Sequence, residues 1–441
     1  MNEADTCRTY VLPNLKSAGW EDERITEQMV LTPGRIVPIG DRHTRKDGLR
    51  PDYVLFIRQY IPIAVVEAKA DYKNAGDGLQ QAIQYAEMMG LKFAYSSNGK
   101  GIVEHDFITG MERTLDSFPS PDELWGRLKG TFKFEHTKDE ADSLAAYWEE
   151  VGGKTPRYYQ QVAINKAVNA TLAGQSRILL TMATGTGKTF VAFQIAWRLW
   201  KSKRKKRILY LADRNVLIDQ AKDRTFSPMG QALHKIKGKA TKSREVYFAL
   251  YQALANPITG DNLYEKYPRD FFDLIIVDEC HRGSANEFGS WRKILDYFDS
   301  AAQIGMTATP KRDDNVDTYN YFGDPIYTYS LRQGIDDGFL APYRVYRVIP
   351  DVDASGLQID PGVLDRFGRE IPPDLYGTKD FERIVSLLSR TEVVARHLTE
   401  YLKRTSRFDK TIVFCVDQEH ALDVRLALNN LNADLTRVHL H

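Results

Sequence analysis

Met182-Ala-Thr-Gly-Thr-Gly-Lys-Thr189 follows the apolar run Ile178-Leu-Leu180 and precedes the helix-like Phe190-Val-Ala-Phe-Gln-Ile-Ala-Trp-Arg-Leu199, so this part of the chain reads as strand, glycine loop, helix. In that setting Gly185 and Gly187 let backbone N–H groups close on phosphate oxygens, and the nascent helix points its positive end at them. Lys188 reaches the β- and γ-phosphates, Thr189 offers its hydroxyl to Mg²⁺, and Thr184 and Thr186 complete the cradle. The strict pattern would place a further glycine at 182, where this chain has Met. A glycine turn without nucleotide is the competing reading.

A second stretch, Leu274-Ile-Ile-Val-Asp-Glu-Cys-His281, begins as a short apolar run of the kind buried in a parallel sheet. Such a strand delivers Asp278 and Glu279 to the carboxyl edge, where ligands bind. Asp278 then holds Mg²⁺ through water and Glu279 orients and deprotonates the attacking water, the division of labour that phosphoryl transfer needs. His281 closes the motif on the nucleotide side.

With both stretches in place the chain resembles the superfamily 2 helicases and translocases, and further landmarks follow in that family's order. Pro156-Arg-Tyr-Tyr-Gln160 resembles the adenine-reading element, which implies Gln160 as the base contact. Leu211-Ala-Asp-Arg214 and Tyr251-Gln252 resemble elements that touch the nucleic-acid backbone, which implicates Arg214, Tyr251 and Gln252. Thr307-Ala-Thr-Pro310 resembles the element that couples hydrolysis to motion, through Thr307 and Thr309. Taken by themselves, Gln160 is equally a helix-surface residue and the two threonines are equally caps of a strand end.

Ahead of this motor, Arg50-Pro-Asp-Tyr-Val-Leu-Phe-Ile57 and Ile61-Pro-Ile-Ala-Val-Val-Glu-Ala-Lys69 read as two strands joined by a tight turn. Alternate residues of a strand share a face, so Glu67 and Lys69 point one way, and Asp52 on the neighbouring strand can meet them. Two converging carboxylates make a hard-oxygen site for Mg²⁺, and the ammonium can stabilise charge on the attacking oxygen and the pentavalent phosphate. A salt bridge on an edge hairpin is the plainer alternative. The arrangement resembles the PD-(D/E)xK nucleases, with Asp52, Glu67 and Lys69 at the matching positions. Gln81-Ala-Ile-Gln-Tyr85 resembles the Gln-x-x-x-Tyr signature of restriction-type members, and on a helix Gln81 and Tyr85 share a face. Tyr95-Ser-Ser-Asn-Gly99 follows at the matching distance.

A nuclease placed directly before such a motor resembles the restriction subunit of the type I restriction-modification enzymes. That resemblance implies an α/β chain with a restriction-endonuclease-like nuclease domain over 1–130 and a helical connector over 131–154. A RecA-like ATPase lobe with a parallel sheet follows over 155–335, and part of a second RecA-like lobe over 336–441. It implies ATP and Mg²⁺ as cofactors, ATP-dependent translocation and cutting of double-stranded DNA, and methyltransferase and specificity subunits as partners. Two alternatives stand beside it: another helicase–nuclease of repair or type III kind, though the type III family places its nuclease after the motor, and an ATP-gated DNA-binding scaffold. Within the second lobe Thr411-Ile-Val-Phe-Cys415 is expected to form a strand, and Lys133 to Glu150 a polar helix. No arginine-finger motif precedes His441. Losing that group costs on the order of 10³-fold in turnover, so weak ATP turnover is expected of these residues, read as a portion of a longer subunit.

Composition fits this reading. At 441 residues the chain is too long for one ordinary core. A formal charge of +1 gives no global basic field, so DNA contact must come from local patches. Cys7, Cys280 and Cys415 show no disulfide or metal spacing, which suits a reducing cytoplasm. No apolar run approaches the roughly 18 residues needed to span a bilayer, so no membrane association is expected.

Overall fold

The computed structural model describes residues 2–436 apart from 40–41, 135, 154, 256–261, 281–291, 309–317, 350–355, 364–369 and 377–387. The chain divides into two compact units, Met1–Pro342 and Tyr343–His441. His281 and Thr309 lie outside the described residues.

The first unit opens with helices α1 (Glu3–Thr6) and α2 (Leu12–Ser17), joined by the π turn Cys7–Val11. Strand β1 (Ile25–Glu27) precedes a hairpin of β2 (Ile36–Ile39) and β3 (Arg42–Arg45). Then come β4 (Tyr53–Arg58), β5 (Ile61–Ala68), α3 (Leu79–Met89), β6 (Phe93–Ser97), β7 (Ile102–Asp106), β8 (Met111–Leu115) and α4 (Pro121–Lys129). Pro121 stands at the start of α4, where its missing N–H costs nothing, and the Ser120 hydroxyl accepts from Glu123 N.

These strands form one six-stranded sheet in the order β1-β4-β5-β6-β7-β8. Its one parallel pair, β5 with β6, is bridged by α3; the other pairs are antiparallel. Both faces of the central strands are buried, so the run is apolar throughout instead of alternating. Val54, Phe56 and Val65 face one core with Tyr85 and Met89 of α3, while Tyr53, Leu55 and Val66 face another with Val11, Leu15 and Leu124.

Helix α5 (Thr137–Ser143) leads to α6 (Tyr158–Leu172), β9 (Arg177–Met182), α7 (Lys188–Lys201), β10 (Ile208–Ala212), β11 (Leu233–Lys235), β12 (Val246–Leu250), β13 (Leu274–Asp278), β14 (Ala302–Thr307) and β15 (Tyr327–Tyr329). The seven strands form an all-parallel sheet ordered β11-β12-β10-β13-β14-β9-β15. The core against α3 runs without interruption into the core beneath α6 and α7, through Tyr158, Ala163, Val191 and Ile195.

The expected helix from Lys133 to Glu150 is shorter than the sequence suggests: among the described residues of that span only Thr137–Ser143 is helical. Beyond it, side chains of α7 take over the backbone's hydrogen bonds. Gln194 accepts from Trp148 N (3.0 Å) and donates to Trp148 O (2.9 Å), and the buried Arg198 donates to Ser143 O and Ala145 O. With those groups satisfied from outside, the segment has no need of a helix.

In the second unit, strands β16 (Leu357–Gln358) and β17 (Leu375–Tyr376) pair antiparallel, and the helices Leu388–Arg404 and Gln418–Leu431 pack together. The strand expected at Thr411–Cys415 does not form: those residues carry no ladder, and Ile412 and Phe414 are 78% and 91% exposed. An apolar run becomes a strand only beside a neighbour that accepts its hydrogen bonds, and among the described residues none lies alongside.

Candidate functional site

The sheet of the first 130 residues gathers one acidic cluster. Tyr53 pairs with Val66, which sets Asp52 across from Glu67. Asp52 is fixed at both oxygens: Oδ2 accepts from Ala68 N at 2.7 Å and Oδ1 from Gln28 Nε2 at 2.6 Å. Gln28, whose φ of 48° puts it in the left-handed region, also donates its backbone N–H to Asp52 O. Lys69 Nζ lies 3.1 Å from Glu67 Oε1 and donates to Gln81 Oε1 at 3.3 Å, while Gln81 Nε2 donates to the Tyr85 hydroxyl at 2.9 Å. Gln81 and Tyr85 thus meet the cluster as a relay that aims the ammonium.

Burial raises the proton affinity of both carboxyls. Glu67 is pushed up to about 7 by desolvation and by the neighbouring Asp52 charge, against the opposing pull of Lys69. Asp52 is also raised by desolvation, with the Ala68 N–H working the other way. For Lys69, burial alone would lower the ammonium, yet Glu67 outweighs it and the net direction is up. The groups fit a divalent cation. Glu67 Oε2 is buried without a hydrogen-bond partner, and oxygens of Asp52, Glu67 and Glu3 lie within 4.8 Å of one another. Gly78 keeps the space open, because a Cβ there would stand 2.8 Å from Ser96 Oγ and 3.0 Å from both Glu67 Cγ and Lys69 Cε.

A second site forms at the carboxyl edge of the parallel sheet. Strands β13, β14 and β9 are neighbours, so Asp278, Thr307 and the loop Ala183–Gly187 share one edge. Gly185 and Gly187 adopt φ of 84° and 85°, which only glycine takes without strain. The loop is braced from below: Thr186 O accepts from Gln160 Nε2 (2.8 Å) and Tyr159 OH (3.1 Å), and Thr186 Oγ1 donates to Ala183 O (2.6 Å). Thr184, Gly185 and Gly187 are exposed, Thr189 half-buried.

Lys188 Nζ lies 3.2 Å from Glu279 Oε1, and Glu279 sits in the left-handed region at φ 51°, a conformation that costs a non-glycine residue about 1–2 kcal/mol. Asp278 is buried and its carboxyl is raised by desolvation; Oδ2 accepts from the Tyr210 hydroxyl at 2.6 Å and Oδ1 from Glu279 N at 3.1 Å.

Comparison with known proteins places the chain. A family model described as type I restriction enzyme R protein N terminus matches residues 25–113, and one described as type III restriction enzyme, res subunit, matches 153–312. The endonuclease subunit of the type I restriction enzyme EcoAI from Escherichia coli is 47% identical over 98% of this chain and 54% of its own length. The corresponding EcoKI subunit, from strain K12, is 29% identical over 94% of this chain and 42% of its own length. A solved fragment of an HsdR subunit of a type I restriction enzyme from Vibrio vulnificus YJ016 is 52% identical, with a TM-score of 0.81, over 100% of this chain and 76% of that one. The chain belongs to the type I restriction enzyme R-subunit family. It spans about half the length of the curated relatives it matches, 54% and 42% of the two named here.

In this R-subunit chain the residues singled out in the sequence fall at two places. Asp52, Glu67, Lys69, Gln81 and Tyr85 come together at one site; Thr189, Lys188, Asp278, Glu279 and Thr307 lie at the other. Gln160 is occupied in bracing the phosphate loop: its Oε1 accepts from Arg157 N at 3.0 Å. Arg214 is exposed, with its guanidinium 3.6 Å from Asp213, and Gln252 is exposed. Tyr251 is placed differently from a residue that touches DNA. Its ring is 2% exposed and its hydroxyl donates to Asp278 O at 2.7 Å, so the side chain buttresses the acidic motif from within. Glu3, Gln28 and Gly78 were not foreseen. No helix among the described residues is long and apolar enough to cross a membrane.

Proposed function

We propose that this chain is the ATP-driven DNA-translocating and DNA-cutting part of a type I restriction enzyme. It acts in the cytoplasm on double-stranded DNA, in complex with methyltransferase and specificity subunits. Residues 1–130 form the nuclease, 131–154 the connector, 155–335 the first motor lobe and 336–441 part of the second. One observation carries the reading: Asp52, Glu67 and Lys69 converge on adjoining strands of a unit that also holds the loop at Gly185–Thr189 opposite Asp278.

At the nuclease site Asp52 and Glu67 would hold Mg²⁺, which when bound polarises the scissile phosphate and the attacking water. Asp52 can turn little, because two donors fix it. Lys69, aimed by Gln81 and Tyr85, supplies positive charge where negative charge grows on the phosphate. At the motor site the loop N–H groups and Lys188 would take the triphosphate, Thr189 and Asp278 its Mg²⁺, and Glu279 would orient and deprotonate water. Arg214 and Gln252 offer polar groups to the DNA backbone, and Thr307 sits between loop and acidic motif, where it can sense both. His281 and Thr309 keep the assignments given by the resemblance.

The test assembles the full-length subunit with its methyltransferase and specificity partners on circular unmethylated DNA. Asp52→Ala should keep ATP turnover and lose cutting, whereas Lys188→Ala should lose both. Continued cutting by Asp52→Ala would refute the nuclease assignment.

A further inference from the structure

Three carboxylates meet beside Lys69, and the third comes from a part of the chain with no recognisable pattern. Glu3, in α1, presents an oxygen within 4.8 Å of oxygens of both Asp52 and Glu67. Its own distance to Lys69 Nζ is 3.6 Å, longer than a hydrogen bond, whereas Lys69 is already engaged by Glu67 at 3.1 Å and by Gln81 at 3.3 Å. Its ion pair with Lys69 is thus the longest of the contacts the ammonium makes with Glu67, Gln81 and Glu3, and it leaves Glu3 facing two other carboxylates. Three carboxylates and one ammonium leave these four groups with a formal charge of −2, an arrangement that like-charge repulsion disfavours without a cation.

The helix that carries Glu3 is anchored by the π turn and α2 that follow it. Cys7, Val11 and Leu15 are buried in the same core as Tyr53 and Val66, the neighbours of Asp52 and Glu67. Asn2 Oδ1 accepts from Asp5 N at 2.8 Å and so caps α1. A second, independent feature points to a cation: Glu67, only 3% exposed, leaves Oε2 buried and without a donor. A lone carboxylate oxygen in that position is costly unless a proton or a metal meets it.

We infer that Glu3 is a third protein ligand of the divalent cation assigned above to Asp52 and Glu67, so that the N-terminal helix is part of the nuclease site. This rests on the proposed metal site and extends it. Oxygen-coordinated divalent cations take six or more ligands and gain from each added carboxylate charge. Such a cation would share the oxygens of Glu67 and Glu3 with the Lys69 ammonium, which Gln81 also holds.

The test uses Mn²⁺ as probe, titrated calorimetrically into the metal-free chain, with circular dichroism as the control for folding. Glu3→Gln should weaken Mn²⁺ binding by about tenfold or more, the least expected for a ligand when supporting residues alone are worth 10–100-fold. Glu3→Asp, which keeps the charge but shortens the reach, should fall between Glu3→Gln and the unmodified chain. Asp52→Asn should be at least as severe as Glu3→Gln. If Glu3→Gln binds Mn²⁺ as tightly as the unmodified chain while Asp52→Asn does not, the role of Glu3 is refuted and the metal site stands. If the unmodified chain fails to bind Mn²⁺ at millimolar concentration, both fall together.

Discussion

Gly187→Ala isolates what braces the phosphate loop. At φ 85° an alanine pays about 1–2 kcal/mol of backbone strain, from which about 0.4–1 kcal/mol is recovered because the unfolded chain loses freedom. Gly323 measures that backbone term alone, since it has φ 80° and a Cβ there would meet nothing within 4 Å. At Gly187 the new Cβ would stand 2.5 Å from Gln160 Nε2. The amide cannot swing aside freely, because it holds Thr186 O at 2.8 Å and Arg157 N at 3.0 Å. Moving it costs both bonds, about 1 kcal/mol each. Gly323→Ala should therefore destabilise by about 0.5–1 kcal/mol and Gly187→Ala by about 2.5–3 kcal/mol in urea titrations. Affinity for a fluorescent ATP analogue should drop about 30-fold in Gly187→Ala, the equivalent of about 2 kcal/mol, and stay unchanged in Gly323→Ala. The double variant Gln160→Ala/Gly187→Ala removes the clash, so its loss should fall short of the sum of the single losses by about 2 kcal/mol. Equal losses in the two glycine variants, or an additive double variant, would refute the claim that Gln160 braces the loop.

Arg198→Ala should cost about 3–5 kcal/mol in urea, because it removes a buried guanidinium that donates to Ser143 O, Ala145 O and Asn165 Oδ1; a loss below about 1 kcal/mol would count against that role. Stability should depend on acid through Glu104, where burial alone would raise the carboxyl but Arg127, Tyr95 and Arg113 lower it below its ordinary range. A depressed folded-state value contributes stability that is present above about pH 4.5 and is lost as pH falls below it. Arg127→Leu should therefore cost about 3–5 kcal/mol at pH 7 and distinctly less at pH 4, measured by urea midpoints at both; an equal cost at the two pH values would be the contrary result. Of the three cysteines, Cys415 should react first with a thiol reagent in the native chain, because Cys7 and Cys280 are buried and desolvation pushes both thiols up. Equal labelling rates would contradict that burial.

The sites were legible where chemistry and local geometry coincide. Strand periodicity at 50–69 was enough to set Asp52 across from Glu67, and helical spacing brought Gln81 and Tyr85 to one side of α3. The strand–loop–helix grammar at 178–199 needed nothing beyond the glycines and the apolar runs. Glu3 and Gln28 escaped notice because each reaches Asp52 from a segment whose own pattern is ordinary, and only the docking of α1 and β1 brings them near. Tyr251 shows the reverse failure. Its place after β12 was legible, but whether an aromatic ring turns outward or inward is decided by the space beside Asp278, which no local pattern records. The shortened helix after Lys133 has the same origin, since Gln194 and Arg198 supply hydrogen bonds that propensity cannot anticipate.

The apolar core that runs from α3 beneath α6 has a consequence for anyone hoping to separate blade from engine. A fragment stopped near residue 130 would turn Tyr85, Met89 and Leu91 out to water, and one begun near residue 155 would do the same to Tyr158, Ala163 and Val168. Neither half owns the wall it leans on, so the two sheets should melt as one body, and scissors placed between them should yield two sticky, poorly soluble products.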